Sequence, residues 1–470
     1  MSHNKTLFIG VRIVLLLVAL GLTGCISKKD LIIAKGFTAK HLCSFVFNSA
    51  LDETYIKDTL IKPKVWPMGA FLDIDIDRNN KTVSVRDKVS SNPLLSFLFP
   101  PEDRLRQATY REAMGCTLLI DTTREALLSI SITPLAPPIL SDQPWPYGNA
   151  GLYKQPIEGL DTDKLALAVS DAFKELDDGK RHTTALLVAH KGKLIAEQYA
   201  HGLKQDTPIL GWSMTKTLTA TITGILQDQG KIIADTPAPI AAWKNTDKTA
   251  ITIQHLLKMS SGLEFNEDYG DSSDVSTMLF TTPHPADFAA QRPLIATPGT
   301  RFGYSTGSSY LLSKIIQDAV GGPQAAYDFY QTHLFHKTHI TSAIVEFDAT
   351  NHIDGGSFAW LSPRDWARMG QLYLNKGQWN GDQVISAERI DEIITPGFSR
   401  FYGSQIWLNT DGHKWPQLPH DLYYFSGHQG QRIIVVPSKQ LVVVRLGVTD
   451  DYGLIQEESF MNDIIEALPQ

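Results

Sequence analysis

The chain has 470 residues, 43% of them hydrophobic and 20% charged, with a formal net charge of -7. Such a length exceeds one ordinary domain and supplies enough apolar material for a sizeable core. The acidic balance, with no long basic block, argues against a nucleic-acid partner. The 14 histidines are scattered without H-E-x-x-H or C-x-x-C spacing, so neither a metal site nor another cofactor is expected.

At the N-terminus Lys5 and Arg12 precede the apolar run Ile13 to Leu22, followed by Thr23, Gly24 and Cys25. Positive charge, a short apolar stretch and small residues form the pattern of a secretory signal, and the run is too short to span a bilayer. Leu22-Thr23-Gly24-Cys25 resembles a bacterial lipobox. It makes residues 1–25 a lipoprotein signal and Cys25 the lipidated residue that holds the protein to a membrane. Ile26 follows the cysteine in place of Asp, which points to the periplasmic face of the outer membrane rather than the inner. A plain cleaved signal or a short anchor helix is the alternative. In an oxidising compartment Cys43 and Cys116 are expected to form a disulfide, with two buried free thiols as the other option.

Residues 26–147 read as a small N-terminal domain. Phe71 to Asp77 alternates apolar and acidic residues, and Lys81 to Arg86 repeats the alternation after Arg78-Asn79-Asn80, which predicts a hairpin. The Pro-rich stretch Pro134 to Pro146 is an extended connection, and the boundary is placed at residue 147. Within 148–470, Thr183 to His190 and Lys193 to His201 flank the turn pair Lys191-Gly192. Arg432 to Val436 and Leu441 to Leu446 are β-branched runs, and Leu454 to Leu468 has helical spacing. Strands from both ends enclosing a mostly helical insert predict an α+β fold, an antiparallel sheet flanked by helices.

The chemistry centres on Gly211-Trp212-Ser213-Met214-Thr215-Lys216. Leu218, Ile222, Ile225 and Leu226 continue with helical spacing to Gly230, so Ser213 opens a helix and Lys216 lies one turn on, on the same face. A serine hydroxyl needs a base to become a nucleophile, and a lysine with a depressed pKa can serve. Alone, S-x-x-K is a weak signal, equally consistent with a helix N-cap and a solvated lysine. Downstream, Tyr304-Ser305-Thr306 lies in a Gly-rich loop before the helical run Tyr310 to Ile316, and Gly427-His428-Gln429-Gly430-Gln431 leads into a strand.

These three elements in this order resemble the motifs of class C β-lactamases, D,D-peptidases and related esterases. The resemblance runs over about residues 150 to 465 and includes Leu256 to Leu263. Within that superfamily the sequence is most similar to 6-aminohexanoate-dimer hydrolases. The resemblance implies a β-lactamase/transpeptidase-like fold and a serine hydrolase acting on a small ester or amide. Ser213, Lys216 and Tyr304 would be catalytic, and the backbone N–H groups of Ser213 and Gln431 would form the oxyanion hole. Tyr269, in the loop Phe265 to Tyr269, would contact substrate, together with Thr306, His428 and Gly430. Thr306 stands where lactamases usually carry Asn, and His428 where they carry Lys; both departures put β-lactam recognition in doubt. A penicillin-recognising peptidase or β-lactamase is one competing reading. A catalytically silent, envelope-anchored binding protein is another.

Overall fold

The computed structural model describes residues 27–88, 90, 100–176, 180–269 and 272–469. The expected signal segment and Cys25 lie outside the described residues. Among the described residues no helix is long and apolar enough to cross a membrane.

The run Thr183–His190 is apolar on both faces and forms a strand, β5, buried along its whole length. It turns through Lys191-Gly192 into β6, Lys193–Tyr199. Its other edge pairs with β10, Leu441–Gly447, so the two ends of the catalytic region meet at the middle of one sheet. Beyond β10 come β9 (Gln431–Val436), β8 (Tyr423–Gly427) and β7 (Trp407–Leu408), giving a six-stranded antiparallel order β7-β8-β9-β10-β5-β6.

Alternation of side chains along these strands creates two apolar faces. Leu186, Val188, Ile434 and Val443 pack under the helices α2 (Thr162–Asp171) and α6 (Glu457–Ala467). Leu187, Ile433, Val442 and Val444 face the opposite way, into the core shared with α3 (Met214–Asp228), α4 (Thr306–Val320) and α5 (Pro363–Leu374). The segment bearing Ser213 is thus fixed between a buried sheet and a helical layer.

The first part of the chain forms a second antiparallel sheet. Its strands are β1 (Leu72–Asp77), β2 (Thr82–Asp87), β3 (Leu105–Arg111) and β4 (Gly115–Leu118), in that order. Across it lies α1, Lys28–Phe47, with Ser27 and Asp30 closing a reciprocal N-terminal cap. This helix is buried on nearly all sides, as a helix without a polar face must be. One side covers β2 to β4 and another meets the helix Asp274–Thr281 of the catalytic region. One apolar core therefore runs from Leu42 and Val85 to Leu218 and Trp360, across the boundary expected at residue 147.

The charges on α1 are absorbed by partners. Lys35 pairs with Asp87 at 2.6 Å, and Lys40 pairs with Glu346 at 2.8 Å and reaches Asp354 at 3.5 Å. Cys43 of α1 and Cys116 of β4 are joined as a disulfide, with their Cα atoms 6.0 Å apart.

Candidate active site

Ser213 occupies the N-cap position of α3 and is the only residue from 211 to 226 that is not fully buried. Two glycines let the neighbouring chain segments close around it. A Cβ on Gly211 would stand 2.2 Å from the Trp366 ring, and a Cβ on Gly427 would stand 2.2 Å from the Gly211 carbonyl oxygen. The end of β8 therefore rests directly on the turn bearing Ser213, and Gln431 is paired across from Gly427. Trp212 has φ of 49°, a left-handed conformation uncommon for a bulky residue. Packing over-determines it: the indole is buried and meets the rings of His41, Tyr269 and His428 at 4.9, 6.0 and 5.2 Å.

One helical turn on, the Lys216 amine is buried and donates to Ser213 Oγ at 2.9 Å, Thr306 Oγ1 at 2.9 Å and the Gly356 carbonyl at 2.8 Å. Burial lowers its pKa to about 8, against the opposing pull of the Glu267 carboxylate. The Tyr304 phenol faces Ser213, and its ring centroid lies 5.3 Å from the lysine nitrogen. Burial, reinforced by Glu267, raises the phenol's pKa, so it remains protonated at neutral pH. The structure thus brings Ser213, Lys216, Tyr304 and Thr306 together.

Thr306 has a partner that sequence reasoning missed. Its backbone N–H donates to Glu267 Oε2 at 2.8 Å, and its hydroxyl donates to Glu267 Oε1. Burial raises the Glu267 pKa. Glu267 belongs to the loop singled out for Tyr269, yet no spacing marks an acidic loop residue as inward-facing. The Gly356 carbonyl was equally hidden, because a backbone group leaves no trace in side-chain chemistry.

His428 and Tyr269 stack at 4.9 Å and form one wall of the site. Burial pushes the half-buried His428 imidazole down to about 3, with Lys64 nearby adding to the shift. Protonated His428 was the one route by which this residue could anchor a carboxylate through charge. Its desolvated, aromatic surroundings remove that route at physiological pH. Tyr269 is kept as a neutral phenol by burial, beside Ser357 and Thr306. Gly430 is buried, and its carbonyl accepts from the buried Arg445 guanidinium at 3.0 Å, which braces the turn from behind. The Gln431 side chain is tied to Gly447, fixing the start of β9. Among the described residues no cluster of three or more His, Cys, Asp or Glu stands where it could hold a metal.

Comparison with known proteins gives the family and the fold. The sequence matches the family model described as beta-lactamase over residues 169–452. A 6-aminohexanoate-dimer hydrolase from Paenarthrobacter ureafaciens is 26% identical over 263 residues, covering 52% of this chain and 64% of the relative, which is less than two thirds of the relative's length. Among solved structures, a candidate 6-aminohexanoate-dimer hydrolase from Bacillus anthracis superposes with a TM-score of 0.54 at 24% identity, over 63% of this chain and 82% of the other. EstCE1, a hydrolase with promiscuous acyltransferase activity, superposes with a TM-score of 0.52 at 14% identity, over 66% and 99%. The structural likenesses establish a shared fold.

Proposed function

Because the chain belongs to the β-lactamase family of serine hydrolases, we propose that it cleaves small esters or linear amides through an acyl-enzyme on Ser213. One observation carries the proposal: a buried amine, with its pKa lowered to about 8, stands 2.9 Å from the hydroxyl of a partly exposed serine. Such an amine is neutral in a useful fraction of molecules near pH 7, and it is already in proton-transfer range.

In the proposed first step Ser213 Oγ attacks the carbonyl carbon while its proton passes to Lys216 Nζ. The oxyanion is held by the backbone N–H groups of Ser213 and Gln431, each such donor being worth about 3 kcal/mol. As the tetrahedral species collapses, the bond to the leaving alcohol or amine breaks. Tyr304 delivers a proton to that group and regains one from Lys216. Water then attacks the acyl-enzyme by the reverse sequence and releases the acid. The raised pKa of Tyr304 supports its role as donor and leaves Lys216 as the resting-state base.

The wall formed by His428 favours esters and linear amides over β-lactams. A neutral imidazole supplies no fixed charge for a β-lactam carboxylate, and Thr306 offers a hydroxyl already engaged with Lys216 and Glu267. Side-by-side rates on p-nitrophenyl acetate, p-nitrophenyl butyrate and nitrocefin test this, with fluorophosphonate labelling to locate the acylated residue. Efficient ester turnover, slow nitrocefin turnover and label on Ser213 are expected. A higher kcat/KM for nitrocefin than for both esters would instead make the protein a β-lactamase or penicillin-recognising peptidase.

A further inference from the structure

Resting on that hydrolase reading, we propose that the N-terminal part of the chain builds an apolar subsite of the catalytic cleft, which receives an uncharged arm of the substrate. Between α1 and the Tyr269–His428 wall lies a cavity of about 250 Å³. Ile33 and Phe37 of α1, Val65 and Met68 of the following turn, and Phe280 line it on one side, and Asp30, Lys64 and Ser276 add polar groups to its surface. Tyr269 and His428 border it as well, so the same aromatic pair faces both the cavity and the indole beside Ser213. The space is ample for a short chain of several heavy atoms.

The charged side chains around this cavity already have polar partners within the protein. Lys64 is paired with Asp450 at 2.6 Å, and Asp30 is engaged by Ser27 and Ser272. His428 is neutral. Among the described residues lining the cavity, the charged side chains already have polar partners within the protein, whereas Trp66, at the rim, leaves 75% of its surface exposed. An exposed indole beside an apolar recess is the arrangement that gains from covering by an apolar chain.

The Lys64–Asp450 pair also holds this wall in register with the chemistry. Asp450 accepts from the Gln429 side chain at 3.2 Å, so the segment carrying Trp66 and Met68 is tied to the turn that precedes the oxyanion donor Gln431. An arm lying in the cavity is consequently fixed relative to the carbonyl under attack.

Two ester series read this out: p-nitrophenyl acyl esters from acetate to octanoate, and alkyl acetates over the same lengths. Each methylene buried contributes about fourfold to kcat/KM, the equivalent of about 0.8 kcal/mol. At least one series should therefore rise about tenfold or more from its shortest member before levelling. Ile33→Trp, which fills the cavity, and Trp66→Ala, at the exposed rim where folding is not at stake, should each lower the long-to-short ratio severalfold. Flat profiles in both series, or an unchanged ratio in both variants, would overturn the subsite. If Ser213 labels and p-nitrophenyl acetate turns over while both profiles are flat, the subsite alone falls. Neither labelling nor turnover would overturn both proposals.

Discussion

Lys216 and Glu267 meet through a single hydroxyl. The amine donates to Thr306 Oγ1, and the same oxygen donates onward to the carboxylate, which also takes the Thr306 backbone N–H. Burial opposes charge on both ends of this chain, lowering the lysine's pKa and raising the acid's. Such a pair titrates as a unit, and whatever negative charge Glu267 carries raises the lysine's hold on its proton.

That relationship fixes the direction of a pH profile. The free enzyme must lose the Lys216 proton before attack, so kcat/KM on p-nitrophenyl acetate should climb with pH through an inflection near about 8. Glu267→Gln removes the group that favours the protonated amine, and the inflection should move down by roughly one pH unit. An unmoved limb in that variant would mean that the carboxylate does not govern the base.

Ser213→Ala and Lys216→Ala should each lower kcat at least about a thousandfold, and the double variant should be no worse than either alone. The 2.9 Å contact between the two side chains motivates this non-additivity. Single-turnover rates on an activated ester, with circular dichroism to check the fold, measure it. Near-normal turnover by Lys216→Ala would remove the amine from the mechanism.

Lys40 is the cation of a buried cluster with Glu346 and Asp354, and burial raises the Asp354 pKa to about 7. Lys40→Met leaves those carboxylates without their bonded ammonium, with only the neighbouring Arg111 guanidinium remaining, and should destabilise the protein by about 3–5 kcal/mol. Urea unfolding of the variant and the parent gives the difference. A loss under 1 kcal/mol, on the order of a surface pair, would show that the acids simply take up protons.

The bridge between Cys43 and Cys116 closes a loop with a sequence separation of 73. By the chain-entropy relation it contributes about 4 kcal/mol. Cys43→Ala with Cys116→Ala should lower the urea midpoint accordingly, and an unchanged midpoint would assign the bridge no role in stability.

We propose export and lipidation at Cys25 from the sequence pattern around it. Metabolic labelling with radioactive palmitate in a Gram-negative host should mark the parent protein and not Cys25→Ala. Equal labelling of the two would locate the lipid elsewhere or rule it out.

The sheet was legible because β9 and β10 are β-branched runs and β5 and β6 flank the turn pair Lys191-Gly192, and the serine helix because its apolar spacing starts just past Ser213. The Ser213–Lys216 contact follows from helix geometry alone, so three-residue spacing sufficed to anticipate it. Glu267 arrives from a loop by long-range packing, and local sequence carries no record of what a loop faces. The α1 segment escaped assignment for a related reason: with apolar residues all round it shows no amphipathic period, and lysines at buried positions 35 and 40 disguise it as surface. The neutrality of His428 depends on Trp212, Tyr269 and Lys64 arriving from three separate stretches, which no motif encodes.

The pairing of β5 with β10 has a consequence for the newborn chain. Ribosomes add roughly 5–20 residues each second, so Ser213 leaves the tunnel roughly 10 to 50 s before residue 447 does. Until then β5 lacks its neighbour on one edge, Gly427 cannot seat against Gly211, and the turn bearing the serine has nothing to rest on. The partial chain therefore lacks the packing that holds the Ser213 turn, and it displays an apolar strand edge of the kind that invites aggregation.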